Sequence, residues 1–181
     1  MINRDEALEL LKQHIKKKNI FNHSLAVEAV MRALARKLGQ DEELWGITGL
    51  LHDLDYDQTF DKPELHGKIA VQILDGKLPK ESLDAILAHC DKKDRETLIE
   101  KAIYPADPIT GFIVACALIR KEKTLEGVDL KFMKKRFKEK RFAAGANRDH
   151  IRTCEDLGLE LDEFLQISLD AMKSIASEIG L

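Results

Sequence analysis

The stretch Gly49-Leu50-Leu51-His52-Asp53-Leu54-Asp55-Tyr56-Asp57 sets the terms on which the chain is read. Leu50 and Leu51 are core-forming residues, and an imidazole and a carboxylate follow them directly. Polar and charged groups taken out of water are costly unless they find partners, so His52 and Asp53 need one. Upstream, Asp41 is placed to cap a helix through Leu44, Ile47 and Leu51 that ends on the pair.

Working outward, apolar residues recur at helical spacing almost throughout. Asn3 and Glu6 have capping-box spacing ahead of a stripe of Ala7, Leu8, Leu11 and Ile15. A second helix over Asn22 to Leu38 turns Leu25, Ala29, Val30, Ala33 and Leu34 inward and stops at Gly39. Further helices are expected over Glu64 to Leu74, and from Pro79 through Leu83, Ile86, Leu87 and Cys90. Asp94 caps a short one through Leu98 and Ala102. Asp107-Pro108 reads as the N-cap and first position of the next. Leu130, Met133 and Phe137 stripe a basic helix. Asn147 caps Arg148 to Leu157, and a last helix spans Asp162 to Ile179. There is no sustained period-two alternation, no repeat and no low-complexity linker. The expectation is all-α: one helical bundle over 1–181 with about nine or ten helices.

At 181 residues, 44% hydrophobic and 34% charged, the chain has the balance of a soluble domain with a sizeable core. A formal net charge of −3 excludes polyanion binding by bulk charge. The first residues, MINRDEALELLKQHIKKK, lack the apolar run of a signal peptide. The longest apolar run, around Phe112 to Ile119, is far short of the ~20 residues of a membrane span. No membrane partner is expected. Cys90, Cys116 and Cys154 are isolated, without CxxC, which suits a reducing cytoplasm and provides no sulfur cage for a metal.

Of six histidines, His23, His52, His66 and His89 lie within or at the edge of apolar helical segments. One such histidine is most often a satisfied core or surface residue. Four in one short chain, one followed by aspartate, form an imidazole–carboxylate set suited to Mn, Fe, Co, Ni or Zn. His14 lies among lysines and His150 in the first turn of its helix; neither is assigned a role.

His23, then His52–Asp53, then Asp107 in YPADPITGF resembles the H…HD…D signature of the HD-domain superfamily of metal-dependent phosphohydrolases. The resemblance extends from His23 to Ile119 and includes the flanks GLLHD and AD-x-x-TGF. It implies a family core in about 20–120, with C-terminal helices over about 129–181, and four residues converging on a divalent ion. His66 and His89, between the dyad and the last aspartate, match the family's extended two-metal pattern. By that match Asp53 bridges the ions, His23, His52 and Asp107 complete one site, and His66 and His89 hold the second. A carboxylate can span ions ~3.5–4 Å apart. The alternative is a one-metal site in which His66 and His89 contact substrate phosphate or donate a proton. The cofactor expected is one or two divalent transition-metal ions, iron or manganese first, with zinc, cobalt, nickel or magnesium open. His52 and Asp53 are the catalytic pair.

Asp107 also reads as a helix cap, and one oxygen can cap while the other binds metal. One departure from the common HDIG form is Asp55 in the place of its glycine. Asp55 and Asp57 either orient the histidines or close the helix in a polar turn; the turn is preferred for Asp57, and Asp55 is left open. Lys131, Lys134, Lys135, Arg136, Lys138, Lys140 and Arg141 crowd into KFMKKRFKEKR. They form a solvated face or an electrostatic funnel; nucleic-acid contact is disfavoured because no aromatic stacking pattern accompanies them. Lys68 and Arg148 are candidate substrate-phosphate contacts, with a salt bridge at a helix start equally open for Arg148.

The resemblance implies hydrolysis of a small phosphate ester by metal-activated water, with a nucleotide as first guess on family analogy alone. Two rival readings keep the fold: a di-iron oxygenase resembling myo-inositol oxygenase, and a non-catalytic ligand-binding module. No general acid or oligomeric state is assigned.

Overall fold

The computed structural model describes every residue from Met1 to Leu181 and contains eleven α-helices, one 3-10 segment and no strand. In chain order the helices are α1 (Arg4–His14), α2 (Lys18–Leu38), α3 (Glu42–Leu51), α4 (Tyr56–Thr59), α5 (Lys68–Leu74) and α6 (Lys80–His89). There follow α7 (Leu98–Leu118), α8 (Leu130–Phe137), α9 (Arg148–Arg152), the 3-10 segment Thr153–Leu157, α10 (Leu161–Ser174) and α11 (Ala176–Ile179). The all-α expectation holds. The count is higher because α4, a single turn after the dyad, has too few residues to show a periodic pattern, and because the last helix breaks at Ile175 to give α11.

Local chemistry explains most of the ends. Asn3 Oδ1 accepts the Glu6 N–H at 3.0 Å while Glu6 Oε2 accepts the Asn3 N–H at 2.8 Å, the reciprocal box that the spacing predicts. Asp41 caps α3 through the Leu44 N–H at 2.9 Å, and α2 stops at Gly39. Three boundaries differ from expectation. α2 begins at Lys18 rather than Asn22, which extends the face carrying His23 by one turn. α5 begins at Lys68 rather than Glu64, because Gly67 adopts φ +79°, incompatible with a right-handed helix. The helix expected from Arg148 to Leu157 is divided into α9 and the 3-10 segment.

The largest correction concerns Asp107-Pro108. No helix starts there: α7 runs unbroken from Leu98 to Leu118 with Pro105 and Pro108 inside it. Each proline removes a backbone bond and costs about 3 kcal/mol or more in a helix interior. Packing outweighs that, because α7 buries Ile103, Ala106, Ile109, Phe112, Ile113 and Cys116 and touches α2, α6, α8, α9 and α10. The start of α7 is held instead by Glu100, whose Oε2 accepts the Thr97 and Glu96 N–H groups at 2.8 and 2.7 Å, not by Asp94.

A cluster of 46 buried apolar residues forms the core. α2 lies along α3 and α7, α10 crosses α2 and α7, and α6 packs on α7. Gly49 sets the closeness of α2 and α3: a Cβ there would sit 3.0 Å from the Val27 carbonyl oxygen and 2.9 Å from Met31 Cγ. The same crossing brings the end of α3 against the turn of α2 that carries His23. Several buried polar groups away from this point are paired, while Arg120 Nε and Arg136 Nε have no partner. Glu28 takes Arg4 at 2.7 and 3.0 Å and Arg32 at 2.9 Å, and Thr48 meets Ser82 at 2.8 Å. No helix is long and apolar enough to cross a membrane.

Candidate metal centre

Five parts of the chain deliver side chains to one point in the bundle. His23 comes from α2, His52 and Asp53 from the end of α3, His66 from the turn before α5, His89 from the last position of α6, and Asp107 from mid-α7. Beyond α3 the backbone tightens, with Leu54 N–H on Leu51 O at 3.2 Å and Tyr56 N–H on Asp53 O at 2.9 Å. His52 and Asp55 are fully buried, and Asp53 is 6% exposed.

Asp53 is the centre of the group. Its Oδ2 lies 3.6 Å from His23 Nε2; its Oδ1 lies 3.6 Å from His52 Nε2, 3.2 Å from His66 Nε2 and 3.4 Å from His89 Nε2. Asp107 Oδ1 is 3.1 Å from His23 Nε2 and 3.8 Å from His52 Nε2. The imidazoles pair off: His23 and His52 at 3.3 Å between Nε2 atoms, His66 and His89 at 3.2 Å. All six sequence candidates for a metal therefore meet around Asp53.

The other nitrogen of each ring decides what these Nε2 atoms offer. His52 Nδ1 faces the Gly49 carbonyl at 2.7 Å, and His89 Nδ1 faces the Ile86 carbonyl. His66 Nδ1 faces Asp55 Oδ1 at 2.9 Å. Carbonyls and a carboxylate only accept, so all three Nδ1 atoms carry the proton. His23 Nδ1 faces Thr110 Oγ1 at 2.9 Å; that hydroxyl donates to Asp107 O at 2.9 Å, so it too accepts from the ring. In their neutral forms the four rings thus turn Nε2 lone pairs toward two carboxylates, an arrangement that calls for positive charge. Two nitrogens on one ion, each about 2.1 Å from it, lie about 3.0–3.4 Å apart, which the two imidazole pairs match. The donor set fits a divalent metal ion.

The electrostatics agree. Burial disfavours charge on His66, yet contacts with Asp53 and Asp55 lift its pKa to about 9. Burial is outweighed in the same way for His23, chiefly by Asp107, and for His89, chiefly by Asp53; both rise above the usual imidazole range. Burial would push Asp53 up, but the charge of His52 and the hydrogen bonds of His66 and His89 hold it well below the carboxylate range. Burial likewise disfavours charge on Asp107, yet His23 and His52 hold it below that range. The carboxylates stay ionised and call for positive charge, which protons on the imidazoles supply in the metal-free chain and a bound metal would displace.

Asp107 caps nothing, since it lies inside α7. Asp57 does not close the turn after the dyad: it lies in α4, and its Oδ2 accepts the Lys16 N–H from the α1–α2 link at 2.8 Å. Lys68 is exposed at the start of α5 and makes no side-chain bond. Arg148 is committed elsewhere: its fork donates to the carbonyls of Ala143 and Ala146, both at 2.7 Å, and of Phe142, and its guanidinium sits 4.7 Å over the Phe112 ring. It braces the 143–146 loop, which borders an open cleft of about 360 Å³ together with His23, Asp107 and Pro108. In the basic helix α8, Lys134 pairs with Asp162 and Arg136 with Glu139, while Lys131 and Lys135 stay exposed. His14 lies 3.4 Å from Gln58, and His150 stacks on Tyr104 at 4.4 Å, both outside the cluster.

Two contributors carry no assignment from sequence. Thr110, in the quoted TGF, sits three residues from Asp107, the helical spacing that puts both on one face. Cys90 is isolated in sequence but lies within ligand distance of His66 and His89, with its thiol on the His66 carbonyl at 3.4 Å.

The family model described as HD domain matches residues 20–136. Ribonuclease Y of Acholeplasma laidlawii is 30% identical over 94 residues, 51% of this chain and 18% of that protein. Ribonuclease Y of Thermus thermophilus is 33% identical over 95 residues, 51% of this chain and 16% of that protein. The chain thus spans under a fifth of the length of the curated relatives it matches. No solved structure matches it.

Proposed function

The chain belongs to the HD-domain family, and we propose that it is a metal-dependent phosphohydrolase acting on a small phosphate ester, a nucleotide before others. One observation carries the reading: each of four imidazoles has its Nδ1–H taken by a protein acceptor, so that four Nε2 lone pairs converge around Asp53.

In this reading His23, His52 and Asp107 would hold one ion and His66 and His89 the other, with Asp53 shared between them. When bound, divalent ions polarise phosphoryl oxygens and bring the pKa of water toward neutrality. The chain's own residues do the rest. Asp53 keeps both half-sites in register from the buried end of α3. Asp55, Thr110 and the Gly49 and Ile86 carbonyls fix ring orientation and tautomer. Asp107 and His23 face the open cleft, where a phosphate enters between α7 and the loop braced by Arg148. Lys68 stands exposed two residues from His66 as a further phosphate contact. The helices built on 20–120 carry the reaction, and from the 129–181 part the 143–146 loop walls the cleft. The three free cysteines fit a reducing compartment, the cytoplasm first.

The matched relatives are named ribonuclease Y, which brings RNA phosphodiesters into the test. Metal-loaded protein would be assayed against nucleoside monophosphates, cyclic nucleotides, dinucleoside polyphosphates, simple phosphomonoesters and short RNA. Hydrolysis of one class, abolished by Asp53→Ala, is the expected result. Turnover of none of them overturns the reading.

A further inference from the structure

The open cleft beside the centre has no lysine or arginine in its wall, and few groups there can donate a hydrogen bond. His23 and Asp107 belong to the cluster. Pro108 has no N–H, and Gly111 and Ala115 lie inside α7, where N–H groups are spent on the helix. Ala146 gives its N–H to the Ala143 carbonyl at 2.9 Å. What remains on the cleft is the backbone N–H of Ala143 and that of Gly145, and neither has an acceptor in the protein.

The loop presents the first of these by the way its carbonyls are held. Arg148 takes the Phe142 carbonyl, and those of Ala143 and Ala146 at 2.7 Å each. In a planar trans peptide the N–H points opposite to the C=O. With the Phe142 carbonyl turned onto Arg148, the Ala143 N–H is turned away from it, and Arg148 is not part of the cleft wall. Ala143 holds φ +46°, a left-handed conformation unfavourable for a residue with a Cβ. Strain of this kind gathers at ligand clamps. At Gly145 no side chain blocks approach to the backbone, and a Cβ there would meet no atom within 4 Å. Neighbouring N–H groups in a turn make a concavity that takes an anion.

We propose that the Ala143 and Gly145 N–H groups together hold one oxygen of the phosphoryl group handled at the centre, with Arg148 as the positioning residue behind them. The proposal rests on the phosphohydrolase reading for the metal end alone. Backbone dipoles set before the substrate arrives need no rearrangement as charge develops on that oxygen. Arg148 then serves the anion without touching it, because its own donors are spent on the carbonyls that aim the loop.

Inorganic phosphate is the probe, titrated into the zinc-loaded full chain while backbone amide resonances are followed by NMR. The Ala143 and Gly145 amide protons are expected to move downfield together with one shared dissociation constant. Gly145→Pro removes one donor and should weaken phosphate binding about tenfold or more, while Gly145→Ala keeps the N–H and should retain most of the affinity. Metal content is the control for folding, and if the Pro variant does not fold the wild-type titration decides alone. In Arg148→Lys, held below its thermal midpoint, the Ala143 response should shrink; an undiminished response overturns the role of Arg148. Amide shifts without phosphate release from any ester support the loop and sink the hydrolase reading. Ester hydrolysis with both amides unmoved by phosphate, no phosphate binding to the metal-loaded chain, or equal affinity of the Pro and Ala variants overturns the proposal.

Discussion

Asp55 Oδ1 accepts the His66 Nδ1–H at 2.9 Å while Asp55 Oδ2 accepts the Ala70 backbone N–H at 2.9 Å. One buried carboxylate thus sets the tautomer of a histidine in the cluster and anchors the first turn of α5. Burial of an aspartate is tolerable because both oxygens are used. In Asp55→Asn the amide can still accept from Ala70, but its NH₂ then faces the His66 Nδ1–H. The ring must move its proton to Nε2 or turn away. Metal titration should show one equivalent weakened roughly 10–100-fold and the other unchanged.

Thr110 does the corresponding work for His23. Its hydroxyl accepts from the ring because it donates to Asp107 O. Thr110→Val keeps the shape and leaves the Nδ1–H without an acceptor. Turnover and affinity at the first half-site should fall about tenfold or more, and Thr110→Ser should restore most of the loss. Equal behaviour of the Val and Ser variants would show that the hydroxyl does not orient the ring.

Arg148 is predicted to matter for stability before it matters for substrate. Its guanidinium satisfies the Phe142, Ala143 and Ala146 carbonyls and covers Phe112. A lysine cannot reproduce the planar fork. Arg148→Lys should cost about 1–3 kcal/mol and lower the thermal midpoint by several degrees. An unchanged midpoint would mean that the loop holds itself.

The candidate metal ligands are legible in the sequence because their signal is local. His52–Asp53 follows two leucines that must be buried, and His23 and Asp107 stand in short, characteristic flanks. Their partners are less legible, because those are set by distances between segments: Asp55 as an orienting group is one of two readings left open in the sequence, and Thr110 has none. Asp55 reaches His66 across eleven residues, and Thr110 reaches His23 across eighty-seven. α7 misleads for the opposite reason. Pro105 and Pro108 are strong local stop signals, and only the burial of Ile103, Ile109 and Phe112 on both sides of them shows why the helix continues. For Arg148 the sequence leaves a phosphate contact and a salt bridge equally open, and neither is found, because the conformation of the 142–146 loop, with Ala143 at φ +46°, has no pattern there.

Glu100 gives the fold an acid limit. Burial alone would raise its pKa, but the Thr97 N–H, Lys93 and the Glu96 N–H lower it from 4.5 to about 2. A carboxylate with a depressed pKa in the folded state stabilises above its unfolded pKa, and that contribution is lost as pH falls through the folded value. Stability should therefore decline from about pH 4.5 toward pH 2. Glu100→Gln should flatten part of that decline and cost about 1 kcal/mol at neutral pH. Denaturant midpoints across this range, wild type against variant, measure both.

The central claim is that cations hold four imidazoles and two carboxylates together inside the bundle, and counting ions tests it most directly. The protein would be purified without chelators or a metal-binding tag and analysed by elemental mass spectrometry, with folded Asp53→Ala alongside. The account predicts two transition-metal ions per chain, lost when Asp53 is removed. A chain that takes up no metal even after reconstitution, or an Asp53→Ala variant that keeps its full complement, would contradict it.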